Sequence, residues 1–291
     1  MTQEPEIKVD ETKVYHTCPF CEATCGLELT ISNNQVTRVR GDKNDVFSKG
    51  YFCPKGGAIA DFHDDPDRLR TPMVREGGKW KKVSWDEAFA AVEKGLLPLI
   101  EKYGNNAVAM YLGNPCSHTM ASATYVRTLA KSFNTKNMYS SSSVDQIPKH
   151  ASCGFMFGSP LTIPIPDIDR TDYFLMFGAN PFVSNGSLCT APDFPRRLRN
   201  LKKRGGKLVV IDPCRTKTAQ LADEHHFIRP GTDVLFLFSM VHILFKENLV
   251  SLGKIASHVT GIDEIKRVSE AFSPESVEAL CGINKEVIYK I

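Results

Sequence analysis

Three cysteines lie within eight residues near the start of the chain, in HTCPFCEATCGLELTI (residues 16–31). Their spacing, C-x2-C-x3-C over Cys18, Cys21 and Cys25, closes a short loop around something small. Metal–thiolate sites generally need four ligands, so a fourth cysteine is expected to approach this loop in the fold. The candidate is Cys53, in KGYFCPKGG (49–57).

Two metal centres are compatible with four thiolates, zinc and an iron–sulfur cluster. Zinc usually takes its cysteines from two short knuckles, whereas here three come from one loop and 27 residues separate the last of them from the fourth. A three-plus-one set suits a cubane, whose four irons each need one thiolate. The spacing therefore favours a [4Fe–4S] cluster over zinc, and both over cysteines that are merely buried.

The remaining five cysteines are scattered and are expected to be small packing residues; they are Cys116, Cys153, Cys189, Cys214 and Cys281. Cys116 and His118 are too few to form a second metal site. In a reducing compartment, clustered cysteines are more often metal ligands than disulfides. MTQEPEIKVDETKVY at the start shows no targeting segment, so we expect a cytoplasmic protein.

Composition excludes some classes of partner. A net charge of +3, with 24% charged and 42% hydrophobic residues, is ordinary for a globular protein and gives no reason to expect nucleic-acid binding. The longest apolar run, VLFLFSMVHILF (234–245), is too short to span a bilayer and is predicted to be a buried core helix.

The elements around the cysteines are predicted to be short strands. GLELTI (26–31) and VTRVRG (36–41) flank the turn-rich segment SNNQ, which fits a hairpin. A helix is predicted to begin after Ser84, because Glu87 completes a capping box and apolar residues follow at helical spacing. Gly104 ends it, AVAMYLG (107–113) is a strand, and MASATYVRTLAKSF (120–133) is a second helix.

From about residue 170 the predicted strands and helices alternate, which implies a parallel sheet with covering helices. The predicted strands are in DYFLMFGANP (172–181), KLVVID (207–212) and HHFIRPG (225–231). The predicted helices are in DFPRRLRNLKKRGG (193–206), TKTAQLAD (216–223) and TDVLFLFSMVHILFKEN (232–248). The fold class is therefore α/β, with a small β-rich unit at the start.

Asp212 ends the second of these strands, where an acid commonly binds ribose hydroxyls. The chain has no G-x-G-x-x-G, which argues against an ordinary NAD site. Asp212 could equally cap a turn. Thr232 or Asp233 in RPGTD (229–233) could cap the long helix, and that role is compatible with a ligand site.

Together these motifs resemble a known family. Four features recur in order, namely CPFCEATC…GYFCPKG, VSWDEA, GANP and IDPCRTKTAQLAD…RPGTD. The chain resembles, from about residue 14 to its end, the N-terminal part of the molybdopterin oxidoreductases of the dimethyl-sulfoxide-reductase superfamily. That superfamily includes formate dehydrogenases and nitrate reductases.

The resemblance implies a [4Fe–4S] cluster on Cys18, Cys21, Cys25 and Cys53, with Lys55 between cluster and pterin. It also implies molybdenum or tungsten held by two molybdopterin guanine dinucleotides. Residues matching those that hold one guanine dinucleotide are Gly178, Asn180, Pro181, Asp212, Arg215, Thr216, Gly231, Thr232 and Asp233.

Two positions depart from the family pattern. Cys214 replaces an arginine of the usual D-P-R-R-T, which removes one favourable contact to the cofactor. The position that holds a cysteine or selenocysteine metal ligand in many relatives falls here on Asp145, followed by Gln146. A carboxylate is a competent hard ligand for oxidised molybdenum, and the alternatives are a loop role for Asp145 or metal binding by a neighbouring serine. Loss of the cysteine–histidine pair argues against a standard formate dehydrogenase.

Members of this family are longer, so the chain is expected to be incomplete relative to them and to expose a large apolar surface. The domain prediction is an iron–sulfur domain at 1–70, a partial α/β domain at 71–136, and a truncated dinucleotide-binding-like domain at 137–291. The predicted function is redox chemistry on a small-molecule substrate with a redox partner protein (a ferredoxin, a flavoprotein or another electron-transfer subunit). The alternative is a non-catalytic iron–sulfur or zinc module with a degenerate nucleotide fold.

Overall fold

The computed structural model describes residues 11–113, 116, 119–189 and 191–291. The chain divides into two compact units, one formed by Met1–Ile165 with Ser187–Asp193 and the other by Pro166–Gly186 with Phe194–Ile291. Below they are called unit 1 and unit 2. The three predicted domains, 1–70, 71–136 and 137–291, remain a prediction.

The strands within these residues are β1 (Thr12–Thr17), β2 (Gly26–Ser32), β3 (Gln35–Gly41), β4 (Met73–Glu76), β5 (Lys79–Lys82), β6 (Met110–Leu112), β7 (Met138–Ser140), β8 (Tyr173–Phe177), β9 (Lys207–Ile211) and β10 (Glu224–His226). The helices of unit 1 are α1 (Pro54–Gly57), α2 (Ile59–Asp64), α3 (Trp85–Tyr103), α4 (Met120–Phe133), α5 (Ser142–Asp145) and α6 (Ile147–Phe157). Those of unit 2 are α7 (Pro181–Ser184), α8 (Phe194–Lys203), α9 (Lys217–Leu221), α10 (Asp233–Lys246), α11 (Ile262–Ser269), α12 (Pro274–Cys281) and α13 (Lys285–Lys290). Short 3-10 turns occupy Asn105–Ala107, Ser187–Cys189 and Gly253–His258.

Unit 1 begins with an antiparallel sheet in the order β1-β2-β3. The predicted hairpin is confirmed: β2 and β3 pair, and Asn33 and Asn34 make the turn with φ of 50° and 61°. Asparagine tolerates this left-handed backbone, which suits the twist of a hairpin. Leu27 is fully buried beneath the sheet, among the cysteines of the loop.

The rest of unit 1 packs more sparsely. The capping box is confirmed, since the Ser84 hydroxyl accepts from the Glu87 N–H and the Glu87 carboxylate accepts from the Ser84 N–H. No residue of α3 is buried, and Trp85 and Phe89 are 66% and 59% exposed. β6 and β7 form a parallel pair. The expected exposed apolar surface is therefore present in this segment.

Unit 2 contains the predicted parallel sheet, in the order β10-β9-β8. Its predicted strands and helices form, except that the third strand, β10, covers Glu224–His226 and the rest of the predicted range 225–231 is loop. One expectation was wrong: α10 is not a helix buried all round, because only Phe236 and Ser239 are buried while Val234 and Leu237 are exposed. One stripe of α10 packs on the core, and the opposite side lies at the surface.

Among the described residues, none of the helices has both the length and the apolar character needed to cross a membrane.

Candidate metal centre and cofactor site

The cysteine loop is held by its own backbone. The Cys18 N–H donates to the Cys25 carbonyl at 2.9 Å, and the Thr24 N–H donates to the Cys21 carbonyl at 3.2 Å. Cys18 and Cys25 are buried and Cys21 is half-buried. All three thiols therefore belong to one preformed turn at the edge of a small apolar core.

A second loop leads to Cys53 and is fastened to Gly26, the residue after Cys25. The Gly26 carbonyl accepts from the Asp42 N–H at 2.9 Å, and the Gly26 N–H donates to the Ser48 hydroxyl at 3.1 Å. Asp45 completes this latch by accepting from the Ser48 N–H and hydroxyl at 2.5 and 2.7 Å. A Cβ on Gly26 would lie 2.6 Å from the Asp45 Cβ, so only glycine fits at this contact.

The same hydrogen bonds have an electrostatic signature. Donation from the Ser48 N–H and hydroxyl lowers the pKa of the Asp45 carboxyl below its ordinary value. The carboxylate is thus kept in the charged form that accepts both bonds. The latch fixes the path of the chain five residues before Cys53.

Cys53 lies at the N-cap of α1, and its carbonyl accepts from the Gly57 N–H at 3.1 Å. This short helix faces Cys18, because a Cβ on Gly56 would lie 3.7 Å from the Cys18 Sγ. Lys55 is exposed on the same turn. The tertiary fold therefore brings the distant fourth cysteine and the predicted lysine to the three-cysteine loop.

The thiols influence one another electrostatically. Burial, together with repulsion from the nearby Cys18, Cys21 and Cys53, raises the pKa of the Cys25 thiol to about 11. Burial also raises the pKa of the Cys18 thiol, and the positive charge of Lys55 lowers it in part. Holding four negatively charged thiolates this close together is unfavourable without a compensating cation. The four cysteines therefore suit a positively charged metal ion or cluster.

Zinc and a cubane place different demands on the spacing of their ligands. A tetrahedral zinc site, with Zn–S bonds of about 2.3 Å, needs sulfurs about 3.8 Å apart. Within the described part of the chain, no group of three or more cysteine, histidine, aspartate or glutamate side chains is arranged for a single ion. A cubane attaches each thiolate to a different iron and so requires wider spacing.

A cavity of about 610 Å³ adjoins the cysteine loop in unit 1. Its lining residues are Glu22, Leu112, Gly113, Cys116, Ala123, Val126, Arg127, Ser140, Ser141, Ser142, Asp145 and Gln146. Asp145, the predicted metal ligand, ends α5 and is exposed toward solvent. Glu22 and Asp145, far apart in sequence, thus line one cavity.

Sequence reasoning missed Glu22 and Arg127. Glu22 directly follows Cys21, so its place beside the metal loop could have been read from the motif itself. Arg127 lies on α4, and nothing local in that helix distinguishes it from a solvated arginine. Cys116, expected to be a packing residue, lines the cavity, whereas His118 lies outside the described residues. Among the other scattered cysteines Cys153 and Cys281 are buried as expected, but Cys214 is exposed.

The predicted nucleotide residues of unit 2 follow the strands of the parallel sheet. The Gly178 N–H donates to the Ile211 carbonyl at 2.9 Å, and Gly178 has a φ of 54°. The Asn180 Oδ1 accepts from the Thr218 hydroxyl at 2.8 Å, and Pro181 is buried at the start of α7. These contacts join the turn after β8 to the helix after β9.

Asp212 and Thr216 both serve the local turn. The Asp212 carboxylate, 6% exposed, accepts from the Cys214 N–H at 2.7 Å. The Thr216 hydroxyl caps α9 by accepting from the Ala219 N–H at 3.1 Å. Arg215, between them, is exposed and lines a cavity of about 300 Å³ together with His225.

The loop after β10 contains the remaining predicted residues. Gly231 has a φ of 80°, and Thr232 lies at the N-cap of α10. The Thr232 hydroxyl donates to the preceding Arg229 carbonyl at 2.6 Å, so Thr232 occupies the expected cap position without a side-chain cap bond. Asp233 begins the helix. Because parallel strands end at one edge of a sheet, the turns after β8, β9 and β10 lie along that edge.

The chain matches two family models. The model for the molybdopterin oxidoreductase Fe4S4 domain matches residues 11–65, and the model for molybdopterin oxidoreductase matches residues 68–273. The first covers the four cysteines and Lys55, and the second covers the sheet edge of unit 2 and, except for Glu22, the lining of the cavity that contains Asp145.

Individual relatives agree with these matches. The chain is 31% identical over 288 residues to formate dehydrogenase H of Escherichia coli, which covers 95% of this chain and 39% of the relative. It is 28% identical to the periplasmic nitrate reductase of Desulfovibrio desulfuricans, covering 94% and 37%. The chain therefore spans about two fifths of the length of these curated relatives.

A solved structure shares the fold. Acetylene hydratase from Pelobacter acetylenicus superposes with a TM-score of 0.77 at 21% sequence identity, over 96% of this chain and 38% of that one. The two family matches agree with the sequence motifs, the clustered cysteines and the edge of the unit 2 sheet. The chain therefore belongs to the molybdopterin oxidoreductase family and includes its Fe4S4 domain.

Proposed function

We propose that Cys18, Cys21, Cys25 and Cys53 bind a [4Fe–4S] cluster in an enzyme that uses molybdenum or tungsten on a bis(molybdopterin guanine dinucleotide). The observation that carries the proposal is the arrangement of the four thiols around one buried turn, beside a cavity containing a predicted metal ligand. When bound, the metal supplies two-electron exchange with a small substrate and the cluster supplies one-electron transfer.

The residues of unit 1 have separate roles in this proposal. The thiolates hold and orient the cluster, and burial of Cys18 and Cys25 limits access of water. Lys55 supplies a positive charge that favours the reduced, more negative state of the centre. Asp145 is the proposed metal ligand, because a carboxylate is a suitable hard donor. Glu22 and Arg127 add one charge of each sign to the cavity that would receive the substrate.

The edge of the unit 2 sheet is the proposed binding site of one guanine dinucleotide. Asp212 would accept from ribose hydroxyls, Arg215 would pair with phosphate, and the turns at Gly178 and Gly231 would allow close backbone approach. Asn180, Pro181, Thr216, Thr232 and Asp233 shape these turns. Asp212 Oδ1 already accepts the turn bond from the Cys214 N–H, and the proposed bonds from ribose would be additional to it.

The activity proposed for the whole enzyme is redox conversion of a small substrate, of the type named in its formate dehydrogenase and nitrate reductase relatives. Electrons would pass to or from a separate carrier protein. We propose a cytoplasmic location, because the clustered cysteines are free thiols of the kind that a reducing compartment maintains.

Metal analysis tests this proposal. The protein should be produced anaerobically in a host that makes the molybdenum cofactor, and its iron, molybdenum, tungsten and zinc should be quantified. Iron with molybdenum or tungsten supports the enzyme. Iron alone supports a non-catalytic electron-transfer module, and zinc without iron supports a structural zinc module; either outcome would overturn the proposal.

A further inference from the structure

A concave, positively charged surface lies on the sheet that carries the cysteine loop. It is a hollow of about 430 Å³, here called the sheet patch, whose charged lining residues are Lys13, Glu28, Arg38, Arg40, Asp42 and Lys43. Leu27, Leu29 and Val39 pack with the cysteines, and side chains alternate along a strand. The charged residues of the three strands therefore face away from the cysteine core, and the proposed cofactor site does not use them.

The positive charge of the sheet patch is not a consequence of overall composition. Residues 11–65 carry six lysines and arginines against eight aspartates and glutamates, yet four of those six basic side chains line this hollow. Lys13 pairs with Glu28 at 3.0 Å. Across the described ranges of the chain, Arg38, Arg40 and Lys43 form no ion pair, so their charge can act on an approaching molecule.

The patch is directly connected to the cysteine loop. The Asp42 N–H donates to the Gly26 carbonyl at 2.9 Å, and Gly26 is bonded to Cys25. Lys43 also approaches the segment that leads to Cys53, because a Cβ on Gly50, three residues before Cys53, would lie 3.3 Å from the Lys43 Cγ. Short covalent and hydrogen-bonded routes of this kind favour electron transfer between a surface and a buried centre.

We infer that the sheet patch is the docking surface for the acidic face of a small one-electron carrier protein. The inference rests on the proposed function, because it needs a redox cluster at Cys25. Complementary charge accelerates encounter by about 10- to 1,000-fold and is weakened by salt. In the productive complex the reduced carrier loses one electron and the cluster gains it, and no covalent bond changes.

The test follows electron transfer from a chemically reduced, acidic [2Fe–2S] ferredoxin to the iron-loaded protein by stopped-flow absorbance. The R38E/R40E variant should lower the second-order rate constant at least about tenfold at about 20 mM salt. Its rate should also lose most of its salt dependence. The matched control is K94E/K102E, which reverses two exposed lysines on α3 and should leave the rate near wild type. Iron content is measured in all three proteins.

Equal rates in wild type and R38E/R40E, or an equal fall in the control, would overturn the docking surface. Equilibrium binding of the ferredoxin to the wild type and to R38E/R40E is measured at the same salt concentrations. Weaker, less salt-dependent binding by the variant is expected, and this result does not depend on electron transfer. If the wild type contains no iron, the proposed function fails, while the binding measurement still decides the docking surface. Tighter binding of a duplex DNA probe than of the ferredoxin at the patch would replace the inference with nucleic-acid binding.

Discussion

Within the described residues, the two parallel sheets differ sharply in how well they are covered. In unit 2, Leu208, Val209, Val210 and Ile211 of β9 are fully buried between flanking elements. In unit 1, Tyr111 on β6 and Tyr139 on β7 are 71% and 54% exposed. Parallel sheets are stable when both faces are covered, and isolated two-stranded sheets are marginal. The β6–β7 region therefore needs further packing that unit 2 does not need.

This difference separates the two proposed binding functions. The cysteine site lies in the part of unit 1 that has its own small core, whereas the large cavity with Asp145 is built on the sparsely covered β6–β7 region. The nucleotide edge lies on the closed sheet of unit 2. We therefore expect cluster binding and the unit 2 fold to be robust, and the geometry around Asp145 to depend most on added packing.

The largest expected effect is the loss of the cluster in Cys53→Ala. One iron would lose its only protein thiolate, so iron content and the broad absorbance at the visible–ultraviolet border should fall to background. Cys214→Ala, which removes an exposed cysteine of unit 2, is the matched control and should keep both. Retention of iron and absorbance in Cys53→Ala would mean that the fourth ligand lies elsewhere.

The contrast in packing predicts unequal costs for removing two phenylalanines. Phe236 is fully buried and contacts Phe177 edge to face at 5.6 Å, so Phe236→Ala should destabilise unit 2 by about 3–5 kcal/mol. Phe89→Ala on α3 should cost under about 0.5 kcal/mol. Urea unfolding of both variants measures the difference. Comparable losses would show that the α3 face is packed in solution.

Asp212→Ala tests the nucleotide edge without disturbing unit 1. Loss of a charged acceptor for ribose should weaken guanine dinucleotide binding by about 1.5–3 kcal/mol while iron content is unchanged. Asp263→Ala, at the exposed start of α11, is the charge control. The measurement is released guanine nucleotide per iron after acid treatment. Equal nucleotide in wild type and Asp212→Ala would restrict Asp212 to its turn bond.

The smallest effect concerns pH and the edge of the unit 2 sheet. Hydrogen bonds from Lys207 and Lys290 lower the pKa of Glu224 to about 2. A lowered folded-state pKa gives stability that is complete above the unfolded value of about 4.5 and is lost as pH falls toward 2. Because these lysines are solvated, Glu224→Gln should cost only about 1 kcal/mol at pH 7.

Unfolding measured at several pH values tests the prediction for Glu224→Gln. The difference in unfolding free energy between wild type and Glu224→Gln should shrink between pH 4.5 and 2. Glu270→Gln, an exposed residue of the same unit, is the control and should not reproduce that trend. A difference that stays constant from pH 7 to 2 would exclude the ion-pair network as its cause.

Local features could be predicted from the sequence because they depend on near neighbours. Ser84 and Glu87 lie three residues apart, and Asn33 and Asn34 fill a two-residue turn. The burial of α10 could not be predicted, because it depends on residues that are distant in the sequence. A continuous apolar run does not reveal which of its sides meets the core, so the exposure of Val234 depends on where α12 and the sheet lie.

The site divides in the same way. The sequence by itself predicts the three-cysteine turn and Cys53 as the fourth ligand, since thiolate chemistry and spacing restrict what such a set can bind. Only the tertiary structure decided how Cys53 reaches that turn, through the bonds of Asp42 and Ser48 to Gly26. It also decided that Glu22 shares a cavity with Asp145. Both outcomes depend on contacts between distant segments, which local periodicity does not encode.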